Sequence, residues 1–211
     1  MRTTTTSFLA LFSALLAISG CSPKPNPSRL IVALDRSDST VDHRAEMLTR
    51  LDDLAGDADS ARATLDIWAY DTTALRVWGP NPSTGRKALT PIKTQHFSPD
   101  PKHPRRGTRP GVLLQNLATD RMTLALSSEQ PLRIVLLTDG GIDHADDPAL
   151  LRKAAQTLKQ QHPNLTLLVI GIDAQERNTW DRVVGEELPS FKAVTWSEAD
   201  IELRRLNLGG K

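Results

Sequence analysis

Three short polar stretches carry the side chains best suited to chemistry. They are Asp35-Arg36-Ser37-Asp38-Ser39-Thr40, Gly107-Thr108-Arg109-Pro110-Gly111 and Leu137-Thr138-Asp139-Gly140-Gly141. Their hydroxyls and carboxylates are oxygen donors, the ligand type of hard cations such as Mg2+, Ca2+ and Mn2+. The same residue types cap helices and close turns, so each stretch taken singly reads as local structure. Cation chemistry needs all three in one place. A single cysteine, Cys21, excludes a disulfide framework and a Cys-rich zinc site.

The elements around these stretches predict that meeting. Leu30 to Leu34 is a continuous apolar run ending in Asp35, the pattern of a strand buried on both faces. Met47, Leu48, Leu51, Leu54 and Ala55 follow at helical spacing. Leu65, Ile67 and Ala69 alternate as a strand, with Leu75-Arg76-Val77-Trp78 as its hairpin partner. Residues 79–109 contain six prolines and read as a long irregular connection. A helix is expected from Pro110 to Leu126, then a second buried strand from Leu132 to Thr138. Asp147 and Pro148 open the next helix as N-cap and first residue, with Leu150, Leu151, Ala154, Ala155 and Leu158 on its apolar face.

Leu165 to Ile170 is a third buried strand. A helix around Trp180, Val183, Val184 and Leu188 leads to a short strand, Phe191 to Trp196. The last helix is expected to open at Ser197 with Asp200 three residues on, burying Ile201, Leu203, Leu206 and Leu208. Alternating β and α units with continuous apolar strands predict a doubly wound α/β fold. Its sheet is mostly parallel with one antiparallel hairpin strand, and helices cover both faces. In such folds the site lies at the carboxyl ends of the strands, where all three polar stretches fall.

Asp-x-Ser-x-Ser after the first strand, Gly-Thr ahead of a helix and Thr-Asp-Gly after the central strand resemble the von Willebrand factor type A domain. The resemblance extends over the chain beyond its first 28 residues and includes the order of elements. It implies a metal-ion-dependent adhesion site. In that pattern Ser37, Ser39 and Thr108 ligate directly, while Asp35 and Asp139 act mainly through water. The implied cation is Mg2+, with Ca2+ and Mn2+ as alternatives, and its open position accepts an Asp or Glu of a protein partner. Arg36 and Asp38 depart from the small residues frequent there. Arg36 is expected to point to solvent, the alternatives being attraction of an acidic partner and competition with the cation.

The Pro-rich connection is also basic: residues 80–110 hold seven Arg and Lys against Asp100 alone. It would steer an acidic partner toward the site, or merely keep a solvated loop soluble. Arg36, Arg105, Arg106 and Arg109 are the candidate partner-binding residues. Asp143-His144-Ala145-Asp146-Asp147 would hold a second cation or simply be a polar loop with a cap. His43 reads as a first-turn surface histidine.

The first twenty residues read as an address. Met1-Arg2 is followed by about eleven nearly continuous apolar residues, too few for the roughly 20 that span a bilayer. Ile18-Ser19-Gly20-Cys21 then resembles a bacterial lipobox. This implies removal of residues 1–20, lipidation of Cys21 and a Pro-rich tether over 21–28, ahead of a domain over 29–209. A plain signal peptide is the alternative. The implied location is the outer membrane of a Gram-negative cell, otherwise the cell membrane, with the lipid as the only membrane contact. A formal charge of +1 argues against a nucleic-acid binder acting through bulk positive charge. The expectation is therefore a binding module of the cell envelope, not an enzyme. A metal-dependent hydrolase and a structural domain whose cation only pins loops remain the other readings.

Overall fold

The computed structural model describes residues 27–81, 86–98, 105, 107–142, 147–206 and 208. Cys21, Arg106 and the Asp143–Asp146 run, with everything expected of them, lie outside the described residues. Six strands form one sheet: β1 (Arg29–Asp35), β2 (Thr64–Tyr70), β3 (Ala74–Asn81), β4 (Leu132–Leu137), β5 (Leu165–Ile170) and β6 (Phe191–Val194). Their order is β3-β2-β1-β4-β5-β6, and every pair is parallel except β2 with β3. Chain order therefore reverses direction between β1 and β4. That switch point leaves a crevice at the strands' carboxyl ends.

The doubly wound, mostly parallel sheet and its antiparallel hairpin strand are as the sequence predicts. Every residue of β1 is buried because helices cover both sides of it. Alternate β1 residues face opposite layers, since strand side chains alternate. Leu30, Val32 and Leu34 pack in one layer with α1 (Arg44–Ser60), α2 (Arg86–Phe97) and residues of and after α7 (Ala199–Arg205). Ile31 and Ala33 pack in the other with α3 (Pro110–Thr119), α5 (Asp147–Gln161) and Trp180 of α6 (Ala174–Trp180). Each fully buried aliphatic side chain contributes roughly 1.5–3 kcal/mol.

Four local expectations are corrected. The 79–109 connection is not wholly irregular: β3 runs on to Asn81, and α2 follows. Leu89, Ile92 and Phe97 of α2 are buried on the α1 side of the sheet, and that packing holds a helix despite Pro91 within it. The helix expected over 110–126 breaks at Asp120, whose extended backbone and carboxylate cap the short α4 (Arg121–Leu124) through the Thr123 N–H. The final helical segment is capped by Thr195 with Glu198 in a reciprocal box, not by Ser197 with Asp200. Ile201, expected to be buried, is 57% exposed.

At the opposite end of the sheet from the crevice, Arg29 is buried at the start of β1. Its Nε donates to Asp66 Oδ2 at 2.9 Å, and Nη1 donates to the Met122 carbonyl at 2.6 Å. The Gln130 amide donates to the Pro27 carbonyl at 2.7 Å. The chain thus enters the domain at the pole away from the switch point. Seven strand residues at ~3.3 Å each separate the two poles by about 20 Å.

Candidate metal centre

Asp35 ends β1 at the switch point and is 1% exposed. Its Oδ1 accepts the Ser37 N–H at 2.8 Å, which closes the backbone turn after the strand. That turn puts the Ser37 and Ser39 hydroxyls 2.9 Å apart. Thr108, from the segment leading into α3, comes to the same point: its Oγ1 lies 3.0 Å from Asp35 Oδ2 and 3.2 Å from Ser37 Oγ. From the end of β4, Thr138 Oγ1 donates to the same Asp35 Oδ2 at 2.9 Å. Asp139 follows, half-buried, and its charge reaches Asp35.

Asp35, Ser37, Ser39 and Thr108 therefore form one oxygen cluster assembled from two distant loops, with Asp139 beside it. Burial pushes the Asp35 carboxyl up to about 6, with the Asp139 charge adding to the rise. The Ser37 N–H and the Ser37 and Thr138 hydroxyls oppose it. Among the described residues no lysine or arginine forms an ion pair with Asp35. A cation at the cluster would offset the desolvation of that carboxylate and receive lone pairs from the converging hydroxyls. The donor set fits a hard cation. Among the described residues no group of three or more His, Cys, Asp and Glu is placed to hold a metal ion, and most of the oxygens converging at this cluster are hydroxyls.

Two residues of this centre escaped the sequence reading. Arg44 is 8% exposed, and its Nη2 donates to the Ser37 carbonyl at 2.8 Å and to Thr40 Oγ1 at 3.0 Å. Burial lowers its pKa, with the Arg105 charge acting the same way. The available signal was an arginine in a helix's first turn, where the helix dipole disfavours a cation. The other is Thr138, a member of the third polar stretch to which the motif assigns no ligand role. It orients Asp35.

Three of the candidate partner-binding arginines lie among the described residues, and each has a partner within the domain. Arg36 does not point to solvent: its Nε donates to Asp71 Oδ2 at 2.7 Å, leaving its side chain 14% exposed. The ion pair wins because Asp71, in the β2–β3 turn, lies directly beside the end of β1. Arg109 Nε lies 3.5 Å from Asp147 Oδ1. Arg105 Nη1 donates to the His96 carbonyl at 3.0 Å, and its own carbonyl accepts the Asp38 N–H at 2.9 Å. Arg106 lies outside the described residues. His43 is only half-exposed because its ring stacks on Trp196, 5.8 Å between centroids.

Asp147 was expected to cap its own helix. Instead its carboxylate turns to α3, where Oδ2 accepts the Gly111 N–H at 3.0 Å, and the residue is wholly buried. The N-cap position of α3 is Arg109, whose side chain makes no cap, and Pro110 stands in the first turn as expected.

The strand order, the single antiparallel edge strand and the helices on both faces are those of the von Willebrand factor type A fold. Solved structures bear out that fold at low sequence identity. A von Willebrand factor type A protein from Catenulispora acidiphila superposes with a TM-score of 0.62 at 18% identity, over 88% of this chain and 43% of that one. Proximal thread matrix protein 1 of the mussel byssus, with zinc in its MIDAS motif, gives 0.62 at 15% over 87% and 48%. Manganese-loaded TRAP protein of Plasmodium vivax gives 0.62 at 17% over 86% and 74%. The chain spans less than half the length of the first two. No protein-family model matches the sequence, and no curated protein matches it.

Proposed function

We propose that this protein is a cation-dependent protein-binding module of the bacterial cell envelope, docking an acidic side chain of a partner on a metal-ion-dependent adhesion site. The observation that carries the reading is the convergence of the Asp35, Ser37, Ser39 and Thr108 oxygens at the switch point of the sheet. Ser37, Ser39 and Thr108 would hold the cation directly, and Asp35 and Asp139 mainly through water. A cation held by so few carboxylates keeps much of its charge and an open position for a further anionic ligand. Mg2+ is the proposed physiological ion, the hydroxyl set also suiting Mn2+ and Ca2+. Two of the similar solved structures hold zinc and manganese. No catalytic role is assigned to any residue.

In this reading residues 1–20 are removed and Cys21 carries the lipid. Among the described residues no helix is long and apolar enough to cross a membrane. The tether would join the domain at the Arg29 pole, so the cation site would face away from the anchoring bilayer, toward proteins in the adjoining space.

The test uses the full chain in mild detergent, titrated calorimetrically with Mg2+ and Mn2+, with and without acetate as a stand-in for the partner carboxylate. The expected result is binding that acetate strengthens, since a shared ligand couples the two equilibria reciprocally. Asp35→Ala abolishes it with the fold retained. Cation binding that acetate leaves unchanged would favour a cation that only pins loops. Absence of binding under both conditions would remove the adhesion mechanism.

A further inference from the structure

The geometry points to Asp147 as the positioning residue that sets the Thr108 hydroxyl in the cation site. The inference rests on the cation-site reading above and extends it to a residue outside the three motifs. Thr108 has no element of its own; it is the second residue before α3, so its place depends on how the first turn of α3 is held. Helix N-termini carry unsatisfied N–H groups and a partial positive charge, usually met by a local Ser, Thr, Asp or Asn. Arg109 at the N-cap supplies nothing of the kind. The missing acceptor comes from 36 residues away, as the Asp147 carboxylate on the Gly111 N–H.

The approach is close enough to require glycine. A Cβ on Gly111 would meet Asp147 Oδ1 at 2.8 Å and its Cγ at 3.0 Å. The same carboxylate takes Arg109 Nε at 3.5 Å, while the Arg109 N–H donates to the Asp71 carbonyl at 2.9 Å. Thr108 is therefore followed by two pinned residues, Arg109 held by the β2–β3 turn and Gly111 by the start of α5. Because Asp147 is wholly buried, it has no room to shift and follow a displaced helix. The place of the Thr108 oxygen, 3.0 Å from Asp35 Oδ2, is thereby tied to the start of α5.

The test measures Mn2+ affinity calorimetrically on the full chain, alongside far-UV circular dichroism. Asp147→Ala is expected to bind Mn2+ at least ten-fold more weakly with its helical signal intact. Asp147→Asn, which keeps an oxygen for the Gly111 N–H, stays within about three-fold of the wild type. The diagnostic comparison is made on a Thr108→Ala background, where Asp147→Ala should cost no further affinity, because the residue acts through Thr108. Should the alanine variant fail to fold, Asp147→Glu takes its place. It keeps the charge but crowds Gly111, and is expected to weaken Mn2+ to the same extent. Wild-type affinity in Asp147→Ala, or an equal loss with and without Thr108, would overturn the inference. A wild type that binds no Mn2+ would instead bring down the cation-site reading, and this inference with it.

Discussion

Thr108 Oγ1 sits 3.0 Å from Asp35 Oδ2, although 72 residues, including the strands β2 and β3, separate the two along the sequence. Neither residue is in reach of the other through local structure. They meet because β1 delivers Asp35 to the switch point and α3, packed on the opposite layer from α1, begins beside it. Removing either oxygen should therefore act on cation binding without touching the core. Asp35→Asn is expected to abolish Mn2+ binding, and Ser37→Ala and Thr108→Ala each to weaken it at least ten-fold. Calorimetry reads the affinities, and unchanged circular dichroism checks that the fold survives.

Arg36 bears on stability through Asp71. Its guanidinium makes a charge-assisted bond at 2.7 Å with both side chains largely covered. Bonds of this kind are worth about 1.5–3 kcal/mol, so Arg36→Ala should lower unfolding free energy by roughly that amount. Asp71 keeps the Thr73 N–H at 2.8 Å, which limits the damage. Urea unfolding of the two proteins measures the difference, and a loss near zero would mean the pair is open to water.

The final helical segment offers a direct contest between two residues. Thr195 and Glu198 form the capping box, while Ser197 lies inside the turn that the box closes. Thr195→Ala should cost about 1 kcal/mol, and Ser197→Ala a few tenths at most. Thermal unfolding of the two variants side by side would reverse that ranking if Ser197 were the cap.

His162 sets an acid limit. It is 1% exposed just beyond α5, and among the described residues neither ring nitrogen has a hydrogen-bond partner. Burial lowers its pKa, and the nearby Arg29 charge adds to the effect. A histidine whose folded pKa lies below its unfolded value binds its proton more readily unfolded. Its full stability is present above the unfolded pKa of ~6.5 and is lost as pH falls through the folded value. The melting temperature should fall more steeply from pH 7 to 5 in the wild type than in His162→Leu. Parallel curves would assign the acid sensitivity elsewhere.

The strands were legible in the sequence because their apolar runs are continuous, and continuity is what burial on both faces of a parallel sheet demands. Leu30–Leu34, Leu132–Leu137 and Leu165–Ile170 all stand where the pattern predicts. The polar stretches at their carboxyl ends were legible for the same reason: an apolar run that gives way to Asp35 or Thr138 marks where the strand ends. Helix α2 was hidden because proline density argues against a helix, and only contact of Leu89, Ile92 and Phe97 with the sheet overrides it. Thr195 was hidden because Ser197 offers an equally good local cap, and the choice depends on where β6 stops.

The order of elements and the oxygens that arrive at the crevice follow from periodicity and from where apolar runs end. The tertiary structure alone decided what the charged residues around those oxygens do. Arg36 turned to Asp71, Arg44 to the Ser37 carbonyl and Asp147 to the Gly111 amide. No spacing rule announces such partners. A buried charge takes whatever donor or acceptor the packing brings within about 3 Å, and that neighbour comes from elements far away in the chain.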